Sequence, residues 1–260
     1  MSTRLPDGWP TGIALHHHAQ IDSTNEEARR LARAGAVGPA WICADTQTAG
    51  RGRRGRAWMS EPGNLFCTLL LAPGCPMPKA AQLSFVTALA VHDAVTAAGI
   101  HGADLKWPND VLIEGAKVSG ILIESAPRGP GHEDTDPLLA IGIGINIACA
   151  PDNTPYPATS LAAHAIAVEP LRLLTLVATA FATRLNQWNK GAGFADIRSA
   201  WLERARAIGG AITVRLHDET IEGEFVSLDD DGALVVRSRD TVRTITAGDV
   251  FFPPVRVQTS

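Results

Sequence analysis

Four arginines and three glycines alternate within residues 50–56, a run that lies between two strand-like stretches. A glycine-rich run of this kind is typical of a turn, because glycine adopts positive φ angles and lets the backbone come close to a bound group. Each arginine adds a planar fork of donors that matches carboxylate or phosphate oxygens. The run therefore predicts a loop that binds an anion, and residues 50–56 are called the arginine loop below. Their composition leaves a solvated surface turn open as the alternative.

The glycines of this loop also match the Gly-x-Gly-x-x-Gly dinucleotide fingerprint through Gly50, Gly52 and Gly55. That fingerprint requires a helix directly after it and an acidic residue about 20 positions later. Residues 56–64 instead form a turn-rich passage, and an apolar strand follows over Leu65 to Leu71. The sequence therefore argues against a dinucleotide-binding fold.

The chain has 260 residues, 45% of them hydrophobic, which is enough for a sizeable core in one domain plus a small second one. Its formal net charge is −4. A protein that binds duplex DNA or RNA is expected to carry a broad basic face instead. The arginine run is thus interpreted as a local site.

Cysteine usage and the N-terminus both indicate the cytoplasm. The four cysteines show neither Cys-x-x-Cys spacing nor a dense framework, so we expect buried, reduced thiols. Residues 1–18 lack the apolar core of a signal peptide, and the chain has no uninterrupted apolar stretch long enough to span a membrane. His16, His17 and His18 are not expected to bind a metal, because consecutive residues on a strand point to opposite faces.

Residues 1–208 carry signals for both helices and strands. Ser23 and Glu26 fit a capping box at the start of a short helix that stops at Gly35. Strands are predicted at residues 40–45, 65–71, 111–113, 117–125 and 138–147, and further helices at residues 78–98, 170–189 and 196–208. A stretch rich in proline, glycine and acidic residues, 127–137, is predicted to be a solvent loop.

The pattern changes after Gly209 and Gly210. Short strands are predicted at residues 212–216, 221–228, 234–236 and 242–246, separated by polar turns. This pattern indicates a small antiparallel barrel that is stable mainly because it leans on its neighbour. The barrel shows no convergent polar cluster, so we expect it to have a structural or partner-docking role.

Five short motifs occur in a fixed order along residues 20–150. They are Asp22-Ser23-Thr24-Asn25, Gln47 with the arginine loop and Trp58, Lys106-Trp107-Pro108-Asn109-Asp110, Lys117-Val118-Ser119-Gly120-Ile121-Leu122, and Gly142-Ile143-Gly144-Ile145-Asn146. In order and spacing they resemble the motifs of biotin protein ligases. Each motif alone is a weak signal, whereas the five in register are a strong one.

The resemblance implies an α+β fold in which a mixed β-sheet is flanked by helices, as in class II aminoacyl-tRNA synthetases and the biotin/lipoate ligases. A small SH3-like β-barrel follows, so the implied domains are residues 1–208 and 209–260. The implied reaction joins biotin to ATP as biotinyl-5′-adenylate and then passes the biotinyl group to a lysine of a carrier protein. Because a carboxylate and a triphosphate repel each other, such a site needs positive charge placed in advance.

The same resemblance assigns roles to residues. The implied catalytic residues are Lys117 and Arg51. The implied biotin-binding residues are Ser23, Thr24, Asn25, Gln47, Gly50, Arg51, Gly52, Arg53, Lys117, Gly120, Gly142 and Gly144. The implied nucleotide-binding residues are Arg53, Arg54, Arg56, Trp58, Lys117 and Asn146, and Asn109 and Asp110 are implied to position Mg²⁺.

Three of these residues have simpler explanations that the sequence leaves open. Ser23 also fits the N-cap of a helix. Trp58 fits a buried anchor of the loop as well as a surface that stacks on adenine. Lys117 also fits an exposed lysine that follows a hairpin turn.

The arginine loop is expected to be mobile without ligand, because its charges repel, and to close over an adenylate that must be kept from water. The implied partner is the biotin carboxyl carrier domain of an acyl-CoA carboxylase. A monomer or weak homodimer is expected. Only 21 residues precede Asp22, so we expect no helix-turn-helix domain and no DNA partner.

Two other functions are considered. A lipoate or octanoate ligase would share the architecture and the lysine, but its elongated apolar ligand needs a tunnel without polar groups for a ureido ring. A nucleic-acid-binding protein would use Arg51 to Arg56 to grip phosphates and would show steeply salt-dependent affinity.

Overall fold

The computed structural model describes residues 5–127, 137–152, 154–239 and 241–253. Its centre is a seven-stranded sheet. The strands are β1 (Ala14–Ile21), β2 (Ala40–Gln47), β3 (Leu65–Leu71), β4 (Ala103–Lys106), β5 (Asp110–Ile113), β6 (Ala116–Ala126) and β7 (Leu138–Ile145). Their order is β1-β2-β3-β7-β6-β5-β4, with β1 parallel to β2 and the other neighbours antiparallel. The predicted solvent loop falls mostly on residues 128–136, outside the described residues.

Helices cover both faces of this sheet. They are α1 (Thr24–Arg33), α2 (Met77–Ala80), α3 (Leu83–Ala97), α4 (Pro170–Trp188) and α5 (Phe194–Leu202). The main apolar core lies between the sheet and α3, α4 and α5. A smaller cluster, which includes Ala28, Ala32 and Ala140, packs α1 on the opposite face. The predicted α+β class, with a mixed sheet flanked by helices, is confirmed.

Strand alternation determines which residues face α1. Successive side chains on a strand point to opposite faces, and Ala140 of β7 packs under α1. Gly142 and Gly144 follow at two-residue intervals and therefore point to the same side. Thr68 of β3 and Leu122 of β6 are the cross-strand partners of Gly142. The α1 face thus carries a row of glycines at the end of β7.

The C-terminal strands form a second, five-stranded antiparallel sheet. They are β8 (Ala211–Arg215), β9 (Thr220–Leu228), β10 (Leu234–Ser238), β11 (Thr241–Ile245) and β12 (Asp249–Phe251), in the order β11-β10-β9-β8-β12. The inner side chains Ile212, Val214 and Phe225 belong to the same continuous apolar cluster as the core of the first sheet. The barrel therefore leans on its neighbour, as expected. The division into two domains at residue 209 stays a prediction.

Two helix predictions are wrong in extent. The helix predicted at residues 78–98 is two helices, and the Gln82 side chain at the break accepts a hydrogen bond of 2.9 Å from Trp188 Nε1. The helix predicted to reach residue 208 ends at Leu202. Beyond it, Arg204 O accepts from Leu105 N and Arg206 N donates to Leu105 O, so the chain leaves the helix to pair with β4.

The predicted capping box is also wrong. Ser23 does occupy the N-cap of α1 with an extended backbone, but among the described residues its side chain caps no backbone amide. Instead, Asp22 Oδ1 accepts a hydrogen bond of 2.7 Å from Ser23 N. The Ser23 hydroxyl is therefore not committed to the helix.

The cysteines match the expectation of mostly buried thiols. Cys43, Cys67 and Cys75 are buried and Cys149 is half-buried. Burial, and to a lesser degree the charge of Asp45, raises the pKa of Cys43 to about 12. Within the ranges that the structure describes, every helix is too short or too polar to pass through a lipid bilayer. The cytoplasmic location stays a prediction.

Candidate functional site

A pocket lies between the first turn of α1, the arginine loop, the β5–β6 hairpin and β12. Most of the predicted site residues line it. These are Ser23, Thr24, Asn25, Gln47, Arg51, Gly52, Arg53, Arg56, Trp58, Asn109, Asp110, Lys117, Gly120, Gly142 and Gly144. Segments that are far apart in sequence therefore meet in one pocket, as the five motifs predict.

Three predicted site residues are not among the described residues that line this pocket. Asn146 is buried, and its side-chain amide donates 3.0 Å to Thr159 O, which ties the end of β7 to the following loop. Gly50 lies beneath the loop, where a Cβ atom would come within 2.7 Å of Ser60 Oγ. The Arg54 side chain is exposed and turns toward β12. Asn146 and Gly50 thus have structural roles of their own. The ligand contacts assigned to all three residues stay predictions.

Polar side chains around the start of α1 form one wall of the pocket. Gln47 Oε1 accepts 2.8 Å from Thr24 N, and Gln47 Nε2 donates 3.1 Å to Ser60 Oγ. Asn25 Nδ2 donates 2.7 Å to Glu124 Oε2. Thr24 and Asn25 are buried, so their polar groups are held in fixed directions. Sequence analysis missed Ser60 and Glu124 because neither belongs to the recognised motifs.

The glycines of the wall accommodate protein side chains. A Cβ atom on Gly142 would lie 2.4 Å from Asn25 Oδ1, and one on Gly144 would lie 2.4 Å from the Trp58 indole. A Cβ atom on Gly120 would lie 2.9 Å from the same indole. The family resemblance assigns these glycines to biotin binding. In the structure they make room for Asn25 and Trp58, because these side chains cover the α1 face at that point, and their assigned contacts with biotin stay predictions.

Two lysines share one carboxylate at the floor of the pocket. Lys117 Nζ lies 2.6 Å from Asp110 Oδ1, and Lys106 Nζ lies 3.6 Å from Asp110 Oδ2. The Lys117 side chain is only 12% exposed, which rejects the alternative of an ordinary exposed lysine. Its ammonium group also lies 5.3 Å from the Trp58 ring centre and 5.2 Å from that of Tyr156. Two lysines and one carboxylate together carry a formal charge of one positive unit.

Burial in the pocket affects the ionisation of Lys106. Desolvation lowers the pKa of Lys106, against the opposing effect of the Asp110 charge. Lys106 also lies within 6.0 Å of the ring centres of Tyr156, Phe251 and Phe252. Such rings attract a cation through their electron-rich faces. Lys106 stood in a recognised motif but was not assigned to the site, and Tyr156 gave no signal in the sequence.

Asn109 and Asp110 do not fit a Mg²⁺ site. Asn109 Oδ1 accepts 3.1 Å from Arg53, and Asn109 Nδ2 donates 2.7 Å to Ile121 O. The Asp110 carboxylate is held by two ammonium groups. Within the part of the chain that the structure describes, no three His, Cys, Asp or Glu side chains gather as metal ligands. The oxygens that Mg²⁺ would need therefore already contact the cationic groups of Arg53, Lys106 and Lys117.

Two carboxylates contact the four arginines of the loop. Arg51 donates 2.6 Å to Glu26 of α1, while Arg54 and Arg56 both contact Asp249 of β12. The hydrogen bond from Arg51 lowers the pKa of Glu26. Burial opposes ionisation of Asp249, but the hydrogen bond from Arg56 and the charges of the loop outweigh it and lower its pKa. These carboxylates reduce the repulsion among the four guanidinium groups, and the mobility of the loop without ligand stays a prediction.

Asp249 corrects the expectation that the C-terminal sheet carries no polar cluster. Together with Gly248, whose carbonyl accepts 3.4 Å from Arg53, it brings β12 against the loop. Phe251 of the same strand also lines the pocket. The signal was absent from the sequence because Asp249 meets its partners only through contacts between distant segments.

We expect Asp249→Asn to loosen the arginine loop. The substitution keeps the size of the side chain but removes the charge that holds Arg54 and Arg56, so amide hydrogen exchange of residues 50–57 should become about tenfold faster. Because the pKa of the folded-state carboxyl is lowered, the contact is complete at neutral pH and is lost as the pH falls through that lowered value. Hydrogen exchange measured by mass spectrometry without ligands checks this.

Asp230→Asn is the matched control. Asp230 pairs with Arg198 at 2.8 Å but is fully exposed, and an exposed pair contributes little. Its loss should leave exchange in residues 50–57 unchanged. Equal exchange of these residues in the wild-type protein and Asp249→Asn would show that Asp249 does not restrain the loop.

Comparison with known proteins identifies the family of this chain. Residues 18–146 match the biotin/lipoate A/B protein ligase family, and residues 207–252 match the biotin protein ligase C terminal domain. The chain is 46% identical to the biotin–[acetyl-CoA-carboxylase] ligase of Paracoccus denitrificans, over 90% of this chain and 98% of that protein. The chain belongs to the biotin protein ligase family. The resemblance seen in the five motifs is confirmed.

Further biotin protein ligases agree in sequence and in fold. The chain is 34% identical to the bifunctional ligase/repressor BirA of Bacillus subtilis, over 92% of this chain and 74% of that protein. The biotin protein ligase of Aquifex aeolicus, solved in complex with biotin and ATP, superposes with a TM-score of 0.79 at 27% identity. That match covers 92% of this chain and 97% of the other, so it includes both sheets.

Proposed function

We propose that this chain activates biotin with ATP and transfers it to a lysine of a carrier protein. An oxygen of the biotin carboxylate forms a bond to the α-phosphorus of ATP. The bond from that phosphorus to the oxygen that bridges it to the β-phosphorus breaks, and pyrophosphate leaves with that oxygen. Biotinyl-5′-adenylate is the product of this step. The observation that carries the proposal is that Arg53, Lys106 and Lys117 converge in one pocket beside the polar wall at α1.

Lys117 is proposed to bind the oxygens that meet at the reacting phosphorus. Its ammonium group is compact and partly desolvated, and Asp110 and the Trp58 and Tyr156 rings hold it in place. A cation fixed in advance stabilises the charge that builds up on the phosphoryl oxygens without reorganising in the transition state. A biotin carboxylate is already ionised at neutral pH, so this step needs no general base.

The arginine loop is proposed to exchange its protein carboxylates for substrate oxygens. Arg51 and Arg53 line the pocket, and in the structure Glu26, Asn109 and Gly248 O accept their hydrogen bonds. Guanidinium groups bind phosphate and carboxylate in similar geometries. A bound nucleotide can therefore replace these contacts with contacts of the same kind. Mg²⁺ enters as part of the nucleotide substrate, bound to its phosphates.

The polar wall is proposed to bind the ureido ring. Thr24, Asn25 and Gln47 are fixed by hydrogen bonds to other protein groups before any ligand arrives. Fixed polar groups favour a ligand that pairs with them and disfavour one that leaves them unpaired. Lipoate and octanoate carry no donors at this end of the molecule, so the wall favours biotin.

In the second step, the amine of the acceptor lysine attacks the acyl carbon, and AMP leaves as its bond to that carbon breaks. The name of the Paracoccus denitrificans relative supports the biotin carboxyl carrier domain of acetyl-CoA carboxylase as the acceptor. A monomer or weak homodimer without DNA or membrane partners is part of the same proposal.

Pyrophosphate exchange tests the first step. Purified protein is supplied with ATP, Mg²⁺ and radiolabelled pyrophosphate, with biotin, lipoate or octanoate as the acid. We expect label to enter ATP with biotin and to remain at background with the two others. Exchange driven by lipoate or octanoate, but not by biotin, would instead identify a ligase of the other kind, and no exchange with any acid would contradict an adenylate-forming function.

A further inference from the structure

Two residues behind the pocket wall set the direction of its hydrogen bonds. Resting on the proposed function, we propose that Glu124 and Thr68 are positioning residues that make the Thr24 hydroxyl an acceptor toward the ligand. The pocket then selects a ligand with an N–H group at that point, as in a cyclic urea. Neither Glu124 nor Thr68 lines the pocket, so both act through Asn25 and Thr24.

The contacts form an unbroken chain across three strands. Asn25 lies over Gly142 of β7 and reaches Glu124 of β6 on one side and Thr68 of β3 on the other. Asn25 Nδ2 lies 2.7 Å from Glu124 Oε2, and Asn25 Oδ1 lies 2.6 Å from Thr68 Oγ1. Thr68 Oγ1 in turn lies 2.8 Å from Thr24 Oγ1. Glycine at position 142 leaves the space that the bridging amide needs.

The direction of each bond follows from the carboxylate at one end. An ionised carboxylate accepts hydrogen bonds and donates none. Asn25 must therefore turn its NH₂ group toward Glu124 and its carbonyl oxygen toward Thr68. That oxygen only accepts, so the single hydroxyl hydrogen of Thr68 goes to Asn25. Thr68 can then only accept from Thr24.

The two polar hydrogens of Thr24, one on its hydroxyl and one on its backbone amide, are consequently both donated to other protein groups. Its hydroxyl hydrogen goes to Thr68 Oγ1 or to Gln47 Oε1, which lie 2.8 and 3.2 Å away. Its backbone amide donates 2.8 Å to Gln47 Oε1. The lone pairs of the Thr24 hydroxyl are what remains for a ligand. Because Thr24 is only 4% exposed, water cannot readily supply a missing donor, and a ligand acceptor placed there would face another acceptor.

Glu124→Gln tests this direction without changing the shape of the side chain. A glutamine can turn its own NH₂ group toward Asn25, which lets the Asn25 amide turn over and lets Thr68 donate to Thr24. One Thr24 lone pair is then occupied. We expect the affinity for biotin to fall about tenfold, the effect of one hydrogen bond.

The decisive readout is a ratio of affinities. Calorimetry of the full chain would compare biotin with its two isomeric carbamate analogues, in which one ring N–H or the other is replaced by oxygen. The wild-type protein should prefer biotin by about 100-fold over the isomer that lacks the N–H facing Thr24. In Glu124→Gln this preference should shrink at least tenfold. The hydrogen bonds between position 124 and Thr24 can then run in the opposite direction, so the Thr24 hydroxyl can also donate to the ligand.

Thr68 provides an independent pair of variants. Thr68→Val keeps the shape but removes the hydroxyl link and should shrink the same ratio, whereas Thr68→Ser keeps the hydroxyl and should preserve it. Glu222→Gln, at an exposed position on β9, removes a carboxylate charge away from the pocket. It should change neither the affinity for biotin nor the affinities for the two carbamates. Thermal unfolding would verify that each variant is folded.

The possible outcomes separate this inference from the proposed function. If biotin binds the wild-type protein and the variants weaken biotin and both carbamates by equal factors, Glu124 and Thr68 support the wall without directing it, and the inference is wrong. If the ratios do not change at all, it is equally wrong. If biotin fails to bind the wild-type protein, the proposed function itself fails, and the ligand assigned to Thr24 fails with it.

Discussion

Replacing Lys117 with alanine is expected to slow formation of biotinyl-5′-adenylate by about 10²–10³-fold, the usual effect of removing one preplaced charge from a transition state. The substitution removes the ammonium group that lies 2.6 Å from Asp110 and within 5.3 Å of the centres of two aromatic rings. Asp110 keeps Lys106 as a counter-charge at 3.6 Å, so the buried carboxylate is not left alone and the pocket should remain folded. Single-turnover measurement of adenylate formation checks the rate.

Lys79→Ala is the matched control for this variant. Lys79 is an exposed lysine on α2 and is not among the residues that line the pocket, so its loss should leave the adenylation rate unchanged. The expected reduction for Lys117→Ala lies in the rate of the chemical step, with biotin affinity changed much less. An unchanged rate at saturating biotin and ATP would remove Lys117 from the reaction.

Gly142→Ala is expected to weaken biotin binding by about 100-fold. The added Cβ atom would lie 2.4 Å from Asn25 Oδ1, and Asn25 cannot move aside without breaking its bonds to Thr68 and Glu124. Overpacking of this kind typically costs 1–3 kcal/mol, enough for such a loss of affinity. Calorimetric titration with biotin gives the measurement, and β7 should tolerate the alanine itself.

A double-mutant cycle separates the clash from other effects of the alanine. In an Asn25→Ala background the obstructing amide is absent, so adding Gly142→Ala should reduce biotin affinity by little more than Asn25→Ala alone. Additive losses in the double variant would mean that the alanine acts through the backbone of β7, and the role assigned to the Asn25 contact would then be incorrect.

The family motifs predicted Lys117 and the loop arginines that line the pocket, because those residues sit in short contiguous motifs, whereas Lys106 was not assigned to the site although it belongs to one of these motifs. Lys117 follows a hairpin turn, and the arginines share one loop, so their types and spacing were visible directly. Strand alternation also contained a signal that was not used. Gly120, Leu122 and Glu124 share one face of β6, which places the Glu124 carboxylate behind the glycines of β7.

Other parts of the site could not be predicted because they depend on contacts between distant segments. Tyr156 reaches Lys117 because the loop that contains it pairs with the start of β6, where Lys117 N donates to Pro157 O. Asp249 reaches the arginine loop because the second sheet packs against the first. Helix ends were misplaced for the same reason, since Gln82 and Arg204 are engaged by partners from other segments.

The 193 positions between Arg56 and Asp249 have a consequence for biosynthesis. A ribosome finishes the arginine loop long before it reaches β12, so a growing or prematurely terminated chain carries Arg54 and Arg56 without Asp249, the carboxylate that contacts both of them. We expect such a fragment to lack the contacts that hold this side of the loop in the folded protein. Strand β12, near the end of the described residues, therefore supplies one side of a pocket to which the first quarter of the chain also contributes.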